Sequence, residues 1–253
     1  MIGYVPGRSP LHRAHPYTPL AVAAGLLFLA FAFRSPAAVW AVVAAAAAFA
    51  AAGGVLGAVV RPAAVLALPT WILLTVLHGL LGGPPHLALG PLALSAPGVE
   101  RALVFGGRIT AILFAFLAAL ATVAPPRLVE AMTARGVPFG RIYLLVSTLT
   151  VVPRMRARVT QIIDAQQCRG LRIGGSPLAR VRALGPLVVP LVLSALAEVD
   201  EQALALDVRG GTAAGRRTAL APPADHAADR LVRWTVLVGV VAAYAWKFAG
   251  AGR

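Results

Sequence analysis

Charge is what this sequence has least of. Only 13% of its residues are charged, against about 25% in an ordinary soluble domain. Blocks of Ala, Leu and Val stand in their place, so 59% of the chain is hydrophobic and the mean hydropathy is +0.80. That excess is too large for one water-soluble core and suits a chain solvated by lipid. Lysine is almost missing: Lys247 is the only one, and the formal net charge of +14 comes from arginine. Basic patches interleaved with aromatics are absent, which argues against a nucleic-acid surface. The arginines lie between apolar runs, as the positive-inside bias of membrane proteins places them. Cysteine is limited to Cys168, which excludes an intrachain disulfide and a cysteine metal cluster.

Other absences narrow the function. No glycine-rich loop ends in Gly-Lys-Ser/Thr, so the chain is not expected to bind or hydrolyse ATP itself. Asp164, Asp200 and Asp207 do not have the spacing of an Asp-rich metal motif, and Asp164 reads as solvated or paired with Arg158 or Arg172. His78 and His86 stand alone near one membrane surface, and no metal site is expected. The apolar runs are nearly bare of the polar groups that line a channel. No internal repeat suggests an inverted-repeat carrier.

What is present is a series of runs near the length, about 20 residues, that crosses a hydrocarbon core. Pro19–Phe33 is short and stops at Arg34-Ser35-Pro36. Ala37–Val60 reads as a full span stopped by Arg61-Pro62, with Gly53, Gly54 and Gly57 as a small-residue packing face. Ala63–Leu81 follows. Residues 82–98 are Gly- and Pro-rich, without acid, Lys or Arg, and fit an external loop. Residues 99–124 form a fourth span. Arg101 and Arg108 near its start must snorkel to the interface or face the protein interior. Leu231–Phe248 is a fifth, flanked by Trp234 and Trp246 as interface anchors. The first run has no convincing cleavage site and reads as a retained helix with its N-terminus inside. Five crossings then put the C-terminus outside.

After Pro125-Pro126 the texture changes, and arginine recurs through residue 217. This divides the chain into an N-terminal bundle (1–124), a cytoplasmic segment (125–217) and a linker with the last span (218–253). Three helices are predicted in the segment: Arg127–Arg135, Phe139–Gly170 with a bend at Pro153, and Leu178–Arg209. A Gly174-Gly175-Ser176-Pro177 turn precedes the third, and Ala213–Asp229 reads as a polar linker after it. On the second helix Met155, Val159, Ile162, Ile163 and Gln166 share one face, while Arg154, Arg158 and Gln161 share another. The fold class is all-α: a membrane bundle of about five spans with a layer of amphipathic helices.

Each of the three helices closes on an Arg-Gly pair: Arg135-Gly136, Arg169-Gly170 and Arg209-Gly210. Capping explains such pairs by itself, since glycine takes the left-handed turn and arginine suits the negative end of the helix dipole. The last two pairs, forty positions apart, end the two longest helices between spans. In that order and placement the chain resembles the transmembrane coupling protein, or T component, of energy-coupling factor transporters. Those are ABC-type importers of vitamins and transition-metal ions. Their coupling helices end in short Ala-Arg-Gly or Ala-Arg-Ser motifs. The matching stretches here are Ala165-Gln166-Gln167-Cys168-Arg169-Gly170 and Leu204-Ala205-Leu206-Asp207-Val208-Arg209-Gly210. The run from Arg182 to Leu191 resembles the family's approach to the second motif. The leading alanine is replaced by Cys168 in one motif and by Val208 in the other.

The resemblance implies the partners and the division of labour. Two ABC ATPase subunits, which bind the ATP and Mg, dock at Cys168, Arg169, Gly170 and at Val208, Arg209, Gly210. A separate substrate-binding membrane subunit, the S component, covers the apolar face of Met155, Val159 and Ile162. This chain carries no cofactor and no catalytic residue. Ala134-Arg135-Gly136 fits the triplet but closes a shorter helix and is read as a cap. Two alternatives stay open at this point. Glu130-Ala131-Met132 with Gly136 begins the loop of a conventional ABC permease, but Leu149 stands where that loop wants proline. An integral membrane enzyme is the other.

Overall fold

The structure is a computed structural model and describes residues 4–7, 9–80, 86–89, 92–171, 177–211 and 222–250. Nine α-helices run through these residues, with one short hairpin. The chain divides into two compact units, Met1–Ala131 with Ala221–Arg253, and Met132–Leu220.

The first unit is built around α5 (Ala96–Thr122), against which α2 (Tyr17–Ala32), α3 (Pro36–Ala52) and α4 (Leu56–Leu74) all pack. Small residues make this possible: Ala102, Ala111, Ala115, Ala118 and Ala121 of α5 are buried. In lipid, helices associate through such close backbone approach rather than through apolar burial from water. A Cβ on Gly106 would lie 2.7 Å from the Trp71 ring, and one on Gly107 would lie 2.8 Å from Val39 Cγ1. Trp71 Nε1 donates to Thr110 Oγ1 (3.1 Å), whose hydroxyl donates to Gly106 O (2.8 Å). No indole N–H is left bare there.

Contacts along the helices give their directions. Arg108 meets the end of α2, and Val5 N donates to Ala121 O at the other end, so α2 and α5 are antiparallel. Gly53 faces Thr122 and Gly107 faces Val39, so α3 runs parallel to α5. Trp71 pairs with Thr110 and His78 with Phe105, so α4 is antiparallel to α5. α9 (Ala227–Gly250) lies along α2 and parallel to it, from Arg233 at Thr18 to Lys247 at Phe31. The order is therefore up, down, up, down, then up again.

Leu56–Gly79, Ala96–Thr122 and Ala227–Ala249 are long and apolar enough to cross a membrane, and Tyr17–Ala32 and Pro36–Ala52 are shorter apolar helices. The helical membrane bundle read from the sequence is thus the fold observed, with two boundaries moved. The second apolar run ends at Ala52, not Val60, because Gly54 turns left-handed at φ 65°. Gly54 N donates to Ala51 O and Val55 N to Ala50 O, which closes the helix. Of the expected packing face only Gly53 meets another helix, at Thr122, and a Cβ on Gly54 or Gly57 would have nothing within 4 Å. Arg61-Pro62, expected as a stop, lies inside α4. A π-helical stretch, Thr75–Leu80, continues α4. Part of the expected loop forms an antiparallel hairpin of β1 (His86–Leu89) and β2 (Leu92–Ser95), with Leu87 opposite Leu94.

At one end of this unit the N-terminal strap is tied down. The short helix α1 (Pro10–Arg13) ends under the Arg127 guanidinium, which donates to the carbonyls of His12, Arg13 and Ala14. His12 is buried and bridges Ser9 Oγ and Val5 O. His15 N donates to the buried Asp229, which belongs to the first turn of α9 and not to the polar linker. Arg233 donates to both carboxylate oxygens of Asp225 at 2.8 Å and holds that carboxyl below its ordinary pKa. At the opposite end α2 stops after about 24 Å of helix, short of a core about 30 Å thick. Its terminal carbonyls are taken by cations instead: Arg108 donates to Ala30 O (3.0 Å) and Phe33 O (2.8 Å), and Lys247 to Phe31 O (2.9 Å). Of the two options the sequence leaves for Arg108, the inward one is observed.

Candidate functional site

The second unit consists mainly of two long helices, α7 (Phe139–Cys168) and α8 (Pro177–Val208), which follow α6 (Pro125–Ala134). The expected helix boundaries differ from these by one or two residues, apart from the turn and linker residues 172–176 and 212–221, which lie outside the described residues.

All three Arg-Gly pairs adopt one local geometry. Gly136, Gly170 and Gly210 are left-handed, at φ 74°, 88° and 68°. At α7, Gly170 N donates to Gln167 O (2.9 Å) and Leu171 N to Gln166 O (2.9 Å). At α8, Gly210 N donates to Asp207 O and Gly211 N to Leu206 O; at α6, Gly136 N donates to Thr133 O and Val137 N to Met132 O. These are Schellman caps, in which the two residues past the helix satisfy its last free carbonyls. The glycines are thereby explained. The arginines are not, because the same cap closes α3 with Gly53 in the position that Arg135, Arg169 and Arg209 occupy elsewhere.

The three arginines also differ in their surroundings. Arg135 makes an interaction within the chain. Arg169 and Arg209 are exposed, and among the described residues neither guanidinium has a hydrogen-bond or ion-pair partner. Cys168 is exposed beside the first, and Val208, 89% exposed, beside the second. Arg108, Arg127, Arg154 and Arg233, by contrast, all donate within the chain.

α7 and α8 pack antiparallel. Tyr143 Oη donates to Gln202 Oε1 (3.0 Å) near one end, and Gln166 Nε2 donates to Pro186 O (3.1 Å) near the other. Arg169 lies just beyond Gln166. The helical run from Pro186 to Arg209 measures roughly 35 Å at about 1.5 Å per residue. The two free arginines therefore stand at opposite ends of a hairpin, roughly 35 Å apart by this measure.

A polar clasp fixes the crossing. Arg154 Nη1 donates to Glu198 Oε1 (2.7 Å), Gln202 Nε2 donates to the same oxygen (2.9 Å), and Arg154 Nη2 donates to Thr150 Oγ1 (3.0 Å). The helical period puts Arg154 on a different face from Met155, about 100° round the helix, and no local spacing could reveal a partner 44 residues away. Arg154 is 46% and Glu198 22% exposed, so the pair is partly screened by solvent. Alanine substitution at both positions should cost less than the sum of the two single changes by about 0.5–1 kcal/mol. Denaturant unfolding of the purified single and double variants measures this, and strict additivity would mean that the clasp is not an energetic contact.

Met155, Val159 and Ile162 are half-buried, as one face of α7 should be. Part of that face is used inside the hairpin: Met155 lines a cleft of about 330 Å³ with Val151 on α7 and Ala195, Val199 and Leu206 on α8. Larger apolar surface stays uncovered on both helices. Leu144, Val152, Val189, Leu193 and Leu196 are all exposed, the last three within an apolar stretch of α8.

The model of the family described as "CbiQ: Cobalt transport protein" matches residues 7–220. The chain is 31% identical over 138 residues to the energy-coupling factor transporter transmembrane protein EcfT of Limosilactobacillus fermentum, covering 51% of this chain and 52% of that protein. It thus spans about half the length of that relative. Against the protein of the same name from Thermanaerovibrio acidaminovorans it is 28% identical over 241 residues, 87% of this chain and 85% of the relative. A putative ABC transporter ATP-binding protein of Bifidobacterium longum is 30% identical over 145 residues, 54% of this chain but 19% of that protein. With the family model matching most of its length, the chain belongs to the CbiQ family and is a membrane-embedded transmembrane (T) component of the energy-coupling factor type.

Proposed function

We propose that this chain converts the ATP-driven closure of two ABC ATPase subunits into movement of a separate substrate-binding membrane subunit, for uptake of a vitamin or a transition-metal ion. The observation that carries the reading is the pair of unpartnered arginines held at opposite ends of one antiparallel hairpin. Two docking groups roughly 35 Å apart by helix length suit two separate ATPase subunits better than one. Arginine suits such a groove because its planar fork donates several hydrogen bonds and stays charged when partly buried. ATP and Mg belong to the ATPases, and this chain transmits force as a non-catalytic subunit. The substrate-binding subunit lies on the apolar faces of the hairpin, on Met155, Val159 and Ile162 and the uncovered aliphatics of α8.

Mild detergent extraction followed by affinity purification tests the assembly. Two ATP-binding subunits and one small membrane protein should accompany the chain, and the chain alone should show no ATPase activity. Hydrolysis by the isolated chain, or its purification free of any ATP-binding partner, would overturn the reading.

The same reading puts the N-terminus and residues 125–217 in the cytoplasm and the C-terminus outside. The parallel course of α2 and α9 supports it, since α9 then crosses in the same direction as the first span. Reporter fusions after Arg217 and after Arg253 should report opposite sides, and a common side would refute the five-crossing topology.

A further inference from the structure

Three cations meet where α2 and α9 end together. Arg108 and Lys247 cap the last carbonyls of α2, and Arg34 follows that helix end, exposed and without a partner among the described residues. The C-terminal end of a helix carries only about half a negative charge, so more than two positive charges are left without compensation. Arg34 and Lys247 line one pocket, and among the described residues no carboxylate lines it. Its volume is about 370 Å³, between Phe33 and Arg34 on one side and Ala243, Trp246, Lys247 and Phe248 on the other. Trp246 and Phe248 are 80% and 73% exposed, as aromatic residues are at the level of lipid headgroups.

The same helix pair carries an apolar groove. Ala21, Ala24 and Phe28 of α2 face Val236, Val240 and Tyr244 of α9 around about 630 Å³ of space. From Arg233, which also lines the groove, to Lys247 the groove and its cationic mouth extend about 21 Å along α9, within a hydrocarbon core about 30 Å thick. Arg233 at the far end is paired with Asp225, so the uncompensated charge lies at the Arg34 and Lys247 end, with apolar walls between.

Because the cationic pocket and the apolar groove lie along one helix seam, we infer that the α2–α9 seam is a binding site for one anionic phospholipid, with its phosphodiester on Arg34 and Lys247 and an acyl chain in the groove. Lys247 spends one N–H on Phe31 O and keeps two donors for the phosphate. Arg34 supplies the paired donors of its fork. The site lies within the first unit and does not depend on which face of the membrane it occupies, because both leaflets present phosphate.

Native mass spectrometry of the purified full chain, titrated with dioleoyl phosphatidylglycerol or dioleoyl phosphatidylcholine, tests the site. The anionic lipid should be retained at least about tenfold better, since two basic side chains at a lipid surface contribute about that much or more. Arg34→Gln with Lys247→Gln should bring the two lipids close to parity. Ala24→Phe, which fills the groove, should weaken retention of both. Millimolar inorganic phosphate should not displace phosphatidylglycerol; displacement would assign the pocket to a free anion and overturn the lipid. Equal retention of the two lipids by the unaltered chain, or an undiminished preference in the double variant, would overturn the site. The comparison on the unaltered chain decides the matter even if a variant fails to fold.

Discussion

Replacing Arg169 and Arg209 together by alanine is expected to abolish ATP-driven uptake while the protein still reaches the membrane. Each truncation leaves a partner carboxylate or carbonyl unpaired in a docking groove and should cost about 2 kcal/mol or more of interface energy. Two such losses weaken assembly by about three orders of magnitude. If the arginines were caps and nothing more, the same changes would cost a few tenths of a kcal/mol up to about 1. Arg→Lys would then be almost silent, because a cap needs only positive charge. The glycine cap at α3 closes its helix without any arginine, so the capping cost should fall at the low end. Arg135→Ala is the internal control: this residue makes an interaction within the chain, and its loss should leave uptake largely intact. Uptake assayed in cells, with membrane abundance measured beside it, separates docking from misfolding. Damage from Arg135→Ala equal to that of the double variant would mean that the wrong arginines have been chosen.

Arg108→Met should be the most destabilising single change in the membrane unit. The guanidinium donates to Ala30 O and Phe33 O and lies 5.7 and 5.4 Å from the ring centres of Phe31 and Phe105. Ala30 is buried, and a buried carbonyl left without a partner costs about 1–3 kcal/mol. A hydrogen bond from a charged group contributes about 1.5–3 kcal/mol. With two lost, and Lys247 still holding Phe31 O, a loss of about 3–4 kcal/mol is expected on that scale. Arg108→Lys should restore less than half of this, since a single ammonium cannot reproduce the fork. Unfolding in mild detergent measures both variants. A cost below about 1 kcal/mol for Arg108→Met would show that water reaches the end of α2.

These two arginine sets mark what a sequence can and cannot disclose. The spans were legible because length and apolarity are local: α5 and α9 begin and end within a few residues of the runs at 99–124 and 231–248. The caps were legible for the same reason, as glycine past a helix end is a short-range pattern, and all three Arg-Gly pairs fold as caps. The helix end at Gly53-Gly54 was not, because an apolar run on both sides gives no period that separates a packing face from a helix end. Pro62 misled in the opposite sense, since a proline's missing N–H need not end a helix at which other groups satisfy the backbone. Arg108, for which the sequence left two options, and Lys247 close a helix from 75 and 216 residues away. The clasp of Arg154 on Glu198 is equally nonlocal. What set the two free arginines apart from the third is likewise a matter of tertiary surroundings, which no triplet contains.

Cys168 permits the most direct test of docking. It is the only cysteine in the chain, it is exposed, and it adjoins Arg169 at the end of α7. With a cysteine-free ATPase carrying one introduced cysteine in the groove proposed for Arg169, mild oxidation of native membranes has one route to a disulfide between the two chains. Docking predicts that this disulfide forms, joins the coupling chain to the ATPase on a gel under non-reducing conditions, and falls sharply in the Arg169→Ala variant. A complex that transports normally, yet gives no such disulfide at any position around the groove, would contradict the assignment of the α7 end to an ATPase.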